Sequence, residues 1–252
     1  MQREYFYMIH AGFTLNSNKI KKKEDNFAFY SSKKGKEILN NNNFPSDIKL
    51  FLENEYITIQ NILVQKKRSY DALLEVGCGN ARNIDLALTS NLRYFGIDFI
   101  EQEVELATKK IKEKNVDGKA KCVSIMHLNY LTTPVPSSMR TICLFPFNLF
   151  GNIFDAKKAI QIMHDLNYDF LVSTYRDDIL TSSITDYYRA CGLNDIKKTS
   201  VKNGVLYSSV EGFNSIIYKS DYLQNIAIKF DFSITTMEFC KIGKLYYIHR
   251  HS

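Results

Sequence analysis

The chain has 252 residues, 45% hydrophobic and 24% charged, which is apolar matter for one full-sized core and excludes a disordered or fibrous chain. Lysine and arginine number 33 against 27 aspartate and glutamate, a formal charge of +6. Ile142 to Phe147, among the longest apolar runs, falls far short of the roughly 20 residues that cross a bilayer, so no membrane partner is expected.

The first ten residues carry an acid beside a short apolar stretch and lack a small-residue cleavage site, so they do not read as a secretion signal and a cytoplasmic location is expected. Lys19, Lys21, Lys22, Lys23, Lys33, Lys34 and Lys36 read as a solvated face, and nucleic acid is not the expected partner. Asn40 to Asn43 mark a loop. A helix follows, with Ser46 as its cap, Asp47 in its first turn, and Leu50, Ile57, Ile59 and Ile62 at roughly helical spacing.

Residues 70 to 76 form a short apolar run that ends in a glycine-rich turn, and Asn80 to Leu88 read as a helix. A strand over residues 92 to 97 precedes a helix with Val104, Ala107 and Ile111 on one face. Strands are expected near residues 122 to 126 and 141 to 147. A helix with Ala159, Ile162, Met163 and Leu166 aligned then leads into a strand over 169 to 175. Alternating strands and helices predict right-handed crossovers and a mainly parallel sheet covered on both faces.

The last third breaks this alternation. Residues 177 to 191 predict a helix closed by Gly192, and Asn203-Gly204 predicts a tight hairpin, so this region reads as an insertion. The core resumes with a helix capped by Ser220 that carries Leu223, Ile226, Ala227 and Phe230. Two final strands, about 232 to 239 and 244 to 249, meet at a turn containing Gly243 and form an antiparallel hairpin. Residues 1–252 thus read as a single domain: N-terminal lid and helix over 1–66, core over 70–175 and 219–249, and inserted cap over 177–218. Cys78, Cys122, Cys143, Cys191 and Cys240 are odd in number and scattered, which predicts buried reduced thiols; the five histidines show no metal spacing, and no metal is expected.

The densest chemical signal is Leu73-Leu74-Glu75-Val76-Gly77-Cys78-Gly79-Asn80-Ala81-Arg82-Asn83. Gly77 and Gly79 let the backbone turn sharply off a strand and approach a ligand, while the helix beyond points free N–H groups at it. Asp98 lies 21 residues after Gly77, at the end of the second strand, where an acid accepts hydrogen bonds from ribose hydroxyls. Glu75 chooses between ligand classes. A carboxylate before the first glycine repels a pyrophosphate, which disfavours a dinucleotide dehydrogenase, but suits the cationic tail of S-adenosylmethionine.

On these residues, segments 70–175 and 219–249 resemble a class I S-adenosylmethionine-dependent methyltransferase. The resemblance implies an α/β, Rossmann-like fold with a seven-stranded, mostly parallel sheet whose last strand is antiparallel, here with an N-terminal lid and an inserted helix-hairpin cap. It implies S-adenosylmethionine as cofactor over the carboxyl ends of the first strands, with Glu75, Gly77, Cys78, Gly79, Asp98 and Phe99 around it. Two departures stand out. Ala81 replaces the third glycine, and Ser124 to Tyr130 supplies no acid for the adenine amino group, leaving His127 or Asn129 for that contact and Met126 for either the adenine face or the core.

The fourth strand ends in Phe145-Pro146-Phe147-Asn148-Leu149-Phe150-Gly151-Asn152, where relatives place the wall between donor and acceptor. Phe145 is assigned to the cofactor side, and Phe147 to the substrate. The polar residue follows the aromatics, which is the wrong order for a nucleic-acid amino methyltransferase. Tyr30, Asn148 and Asp177 are the candidates for the catalytic positions. Phe27 and Tyr30 read either as a lid over the sulfonium or as packing against the sheet edge. Arg176, Asp177 and Asp178, at the carboxyl end of the fifth strand, read as substrate anchors, as a mutual ion pair or as helix caps. Tyr187, Tyr188 and Tyr207 read as a cap over the pocket or as the insertion's own core.

The lid, the Tyr175-Arg176-Asp177-Asp178 segment and the aromatic cap together resemble the N-methyltransferases that dimethylate the terminal arginine of plantazolicin-type thiazole/oxazole peptide antibiotics. That resemblance implies N-methylation of a small molecule or short modified peptide in antibiotic biosynthesis, with the acids anchoring a guanidinium. The alternatives are O-methylation of a small molecule, RNA or DNA methylation, and a non-catalytic S-adenosylmethionine-binding protein.

Overall fold

The computed structural model describes residues 26–179 and 182–250. The expected lysines from Lys19 to Lys23 and the first part of the lid, Asp25 included, lie outside the described residues. The N-terminal segment contributes two short helices, α1 (Phe27–Tyr30) and α2 (Lys33–Glu37), then a 3-10 turn (Asn41–Asn43) and the long α3 (Ser46–Gln65). The core continues with β1 (Ala72–Val76), α4 (Ile84–Ser90), β2 (Arg93–Asp98), α5 (Glu101–Glu113), β3 (Gly118–Cys122) and β4 (Thr141–Phe145). It runs on through α6 (Ala156–Leu166) and β5 (Asp169–Tyr175). After the insertion come α8 (Ser220–Lys229), β9 (Phe232–Phe239) and β10 (Gly243–Arg250).

The seven core strands lie in the order β3-β2-β1-β4-β5-β10-β9. Strands β1 to β5 pair in parallel, and β10 runs antiparallel to both β5 and β9. All five residues of β1 are buried because both faces are covered. Alternate residues feed two apolar layers. Leu73, Ile142 and Leu171 face one that also holds Phe51, Ile59, Ile84 and Ala107, while Leu74, Cys143 and Phe170 face the other with Ile160, Met163 and Leu223. Each such aliphatic or aromatic side chain contributes roughly 1.5–3 kcal/mol on burial. The parallel order brings the carboxyl ends of β1, β2, β4 and β5 to one edge, which sets Val76, Asp98, Pro146 and Tyr175 around a common opening.

The insertion is larger than a helix and a hairpin. It holds α7 (Ser183–Ala190) and a three-stranded antiparallel sheet, β6 (Lys197–Val201), β7 (Gly204–Ser208) and β8 (Asn214–Tyr218). Val201 pairs with Gly204 across the expected tight turn, and β8 is the strand that sequence patterning does not separate from the helix after it.

Several local expectations are corrected. Ser46 is the first residue of α3, whose cap position is Pro45, and Leu50 and Ile57 are exposed; Ile48, Phe51, Glu55, Ile59 and Ile62 form the buried face. The third strand ends at Cys122 rather than running on to Met126. As an edge strand it exposes Lys119, so it lacks the apolar run that marks a buried one. Ser220 does not cap α8 with its own side chain: the Asp177 carboxylate accepts from the Ser220 N–H (3.0 Å) and hydroxyl (2.8 Å), an anion at the positive end of a helix. Cys122 is exposed and Cys240 half-buried, whereas Cys78, Cys143 and Cys191 are buried. No helix among the described residues is long and apolar enough to cross a membrane.

Candidate functional site

A cavity of about 460 Å³ opens at the carboxyl edge of the sheet, between the core and a roof made of the N-terminal segment and the insertion. One end is built on the β1 turn. Gly77 (φ 60°) and Gly79 (φ 48°) take left-handed conformations, in which an L side chain is strained. A Cβ on Gly77 would also lie 2.8 Å from Leu149 Cδ1, so the turn and the loop after β4 touch through the missing side chain. Ala81 adopts the same left-handed region (φ 59°), which glycine would enter without cost.

Asp98 closes this end from β2. Its Oδ2 accepts the Gly79 N–H and its Oδ1 the Ile100 N–H, each at 3.0 Å. Burial pushes its pKa up against the pull of those two N–H groups, and Glu103 nearby adds to the rise. Each carboxylate oxygen keeps a lone pair for a further donor. Glu75 is buried beneath the turn, with its Oε2 2.5 Å from the Tyr94 hydroxyl and its Oε1 2.7 Å from Asn83 Nδ2. Burial raises its pKa to about 7, with Tyr94, Arg82 and Asn83 opposing. Phe99, Ile100, Leu106 and Ile125 line this end with apolar surface.

The other end is a box of rings. Phe44 and Phe147 lie 5.7 Å apart, Tyr187 lies 5.5 Å from Phe44 and 5.7 Å from Phe147, and Tyr188 and Phe213 lie 4.6 Å apart. Tyr30 and Tyr175 complete the lining. Burial pushes the hydroxyls of Tyr30, Tyr175, Tyr187 and Tyr188 well up, so they are phenols at neutral pH. Phe147 and Asn148 are consecutive residues in the left-handed region (φ 48° and 53°), a strained pair at the end of β4. The Asn148 amide is held on both sides: Nδ2 donates to Ser215 Oγ (3.0 Å), and Oδ1 accepts from Thr174 Oγ1 (2.6 Å).

Of the residues expected from sequence, Glu75, Gly77, Cys78, Gly79, Asp98, Phe99, Tyr30, Asn148, Phe147 and Tyr187 meet around this one cavity. Others do not. Phe145 lies under it in the core against Phe150 and Phe170, and Met126 packs in the same apolar layer. His127 is not in the lining, and its Nδ1 is buried without a hydrogen-bond partner among the described residues. Phe27 backs Phe99 at 5.6 Å, and Tyr207 backs Tyr188 at 5.7 Å, each one ring behind the surface.

The acidic anchor is the main correction. Asp177 caps α8 and pairs with Lys244 Nζ at 2.7 Å, while Arg176 is forked onto Asp178 (3.1 and 2.8 Å) and bound to Glu238 (2.6 Å). All three charges are paired, and none of the three residues is in the cavity lining, as the ion-pair and helix-cap readings have it. Asn152, at the end of the quoted stretch after β4, lines the cavity as well, and Phe44, Phe213 and Ser215 line it with no motif that would have announced them.

No protein-family model matches the chain, and no curated protein matches it. Solved structures match by shape. The magnesium protoporphyrin IX methyltransferase of Synechocystis PCC 6803, with bound S-adenosylhomocysteine, gives a TM-score of 0.59 at 15% identity over 89% of this chain and 97% of that one. The 1,6-didemethyltoxoflavin-N1-methyltransferase of Burkholderia thailandensis, with bound 1,6-didemethyltoxoflavin and S-adenosylhomocysteine, gives 0.55 at 12% over 79% and 78%. An S-adenosylmethionine-dependent methyltransferase of Clostridium acetobutylicum gives 0.53 at 10% over 79% and 92%. The shared feature is the fold: an α/β, Rossmann-like class I methyltransferase architecture with a seven-stranded sheet and an antiparallel last strand.

Proposed function

We propose that the chain is an S-adenosylmethionine-dependent methyltransferase acting on a flat, largely apolar small molecule. The observation that carries this is one cavity in which a left-handed Gly77/Gly79 turn and the Asp98 carboxylate face a box of six or more aromatic rings. The residues fit the cofactor: Asp98 has lone pairs left for two ribose hydroxyls, Gly79 leaves the backbone bare, with a Cβ there meeting only Glu103 at 3.7 Å, and Phe99 and Ile125 offer apolar surface for a purine.

Bound S-adenosylmethionine supplies a methyl carbon activated by a sulfonium. The residues of this chain bind, orient and keep out water. Asp98 and the β1 turn would hold the nucleoside, while Phe147, Tyr187, Tyr188 and Phe213 would hold the acceptor ring in place, the positioning that an in-line displacement most needs. The tyrosines of the box stay protonated, so they do not take a proton from the acceptor. That suits an acceptor atom with a lone pair of its own at neutral pH, such as a ring or aryl-amine nitrogen. Two of the matched structures carry flat, conjugated ring systems in their names, a didemethyltoxoflavin and a magnesium protoporphyrin.

N-methylation in natural-product biosynthesis, a short azole peptide included, is the finer form of this reading. It rests on the aromatic walls alone, because Asp177 and Asp178 are engaged elsewhere. Calorimetry with S-adenosylhomocysteine, S-adenosylmethionine and NAD tests the cofactor, with micromolar binding of the sulfur ligands and none of NAD expected. A methyl-transfer assay over flat nitrogen heterocycles then tests the acceptor. Binding of NAD without either sulfur ligand would overturn the proposal.

A further inference from the structure

Glu55 sits in the middle of the apolar face of α3, 2% exposed, between Phe51 and Ile59. A carboxylate buried there is costly unless it is paired and hydrogen-bonded. It has two partners from two different parts of the site. Its Oε1 accepts the backbone N–H of Phe147 at 2.6 Å, and its Oε2 meets Arg82 Nη2 at 3.3 Å. Arg82 belongs to the turn after β1 and lines the cavity, and its guanidinium lies over the Phe147 ring, 5.3 Å from the centroid. The three groups close a ring: carboxylate to amide, carboxylate to guanidinium, guanidinium to phenyl.

Phe147 is also the first of the two strained left-handed residues at the end of β4. Such a conformation persists only where its surroundings over-determine it. The charge-assisted bond from Phe147 to Glu55 is the one that acts on its backbone from outside the sheet, and the same carboxylate fixes the arginine of the cofactor-side turn.

We propose that Glu55 is a positioning residue that couples the β1 turn to the acceptor wall, so that the placement of Arg82 and the left-handed setting of Phe147 are held as one unit. The consequence for transfer rests on the methyltransferase reading; the coupling itself does not, and it is measurable without any ligand. The probe is the Phe147 amide, observed by NMR in the full chain labelled with 15N-phenylalanine and assigned by comparison with Phe147→Leu.

Glu55→Ala should speed hydrogen exchange at Phe147 by at least about tenfold, as loss of a charge-assisted bond requires. Glu55→Gln keeps an acceptor for the amide but not the charge for Arg82, so it should retain much of the protection. Arg82→Ala should speed exchange at Phe147 by a larger factor in the wild-type background than in the Glu55→Gln background, where only its contact with the Phe147 ring is lost. Equal exchange at Phe147 in all these variants, with circular dichroism confirming that they are folded, overturns the coupling. So does an Arg82→Ala effect on exchange that is as large without the Glu55 charge as with it. Separately, in protein that binds S-adenosylhomocysteine, the ligand should slow exchange at Phe147 in the wild type by more than in Glu55→Gln. Wild-type protein that fails to bind the ligand sinks the cofactor reading and leaves the apo comparison to decide the coupling.

Discussion

The Asp98 carboxylate bonds the N–H of Gly79, 19 residues before it, at 3.0 Å, tying the end of β2 to the turn after β1. That single contact makes Asp98 both the brace of the turn and the acceptor facing the cavity.

Asp98→Ala is therefore expected to weaken S-adenosylhomocysteine binding by roughly 10- to 100-fold, about 1–3 kcal/mol for lost charge-assisted bonds and a loosened turn. Asp98→Asn should not restore affinity, because its amide nitrogen would face either the Gly79 or the Ile100 N–H, donor against donor. Titration calorimetry on the folded variants decides the matter, and unchanged affinity removes Asp98 from the site.

Gly77→Ala meets two obstacles at once, a φ of 60° and the Leu149 side chain 2.8 Å from the new methyl. The conformational part costs roughly 1–2 kcal/mol and stays whatever surrounds it. The steric part depends on Leu149. Gly77→Ala is expected to lower both stability and ligand affinity, and Leu149→Ala added to it should recover a portion of the loss. Urea unfolding of the two single variants and the double variant checks this, since full recovery would mean that the backbone is not strained there.

Glu75 has a pKa near 7 in the fold against an ordinary value of 4.5, with burial as the chief cause. A carboxyl group with a raised folded-state pKa favours the folded chain when protonated. Its contribution is complete below pH 4.5 and is lost as pH rises through 7, a change on the order of 3 kcal/mol. Glu75→Gln should remove that slope. Unfolding free energies of wild type and Glu75→Gln should differ by less at pH 5 than at pH 8, in the direction that favours Gln at pH 8. Parallel curves across this window would show that Glu75 does not carry the proton.

Tyr187→Phe deletes the hydroxyl that donates to the Ile38 carbonyl at 2.5 Å while keeping the ring contacts with Phe44 and Phe147. The expected cost is about 1 kcal/mol, felt at the roof rather than across the core. Hydrogen exchange by mass spectrometry should rise in residues 33–44 and stay unchanged in β1 and β4.

Asp177→Asn tests the corrected role of that acid. Burial pushes its pKa up, but Lys244 and the Ser220 donors outweigh this and hold it below the ordinary value. Loss of the charge leaves Lys244 buried with a weaker partner, so stability should fall by roughly 1–3 kcal/mol while the affinity for S-adenosylhomocysteine is unchanged. A large rise in the KM for the methyl acceptor at unchanged stability would return Asp177 to the cavity.

The sequence makes the core legible where one face or one turn dominates. Ala72 to Val76 is apolar but for Glu75 and runs into a turn that holds Gly77 and Gly79, and Val104, Ala107 and Ile111 are the buried residues of α5 as their spacing implies. It fails where a residue type has two uses. An aspartate at the carboxyl end of a strand serves equally as a substrate anchor or as the cap of a distant helix, and only the fold brings Ser220 and Lys244 to Asp177. Glu55 left a faint mark, an acid at the i+4 position from Phe51 on a face that is otherwise apolar. Phe44 and Phe213 left none, because an aromatic side chain in a loop reads the same whether it faces a core or a cavity.

The bond from Tyr187 to Ile38 joins residues 149 positions apart, and Lys34 reaches Gly192 across a similar span at 2.7 Å. The roof is thus a vault of two half-arches, distant in the chain, that meet over the carboxyl edge of the sheet and brace each other. Transplanting the insertion into a related fold would carry over only one half-arch. To exchange what this chamber admits, residues 26–44 and 182–218 have to travel together.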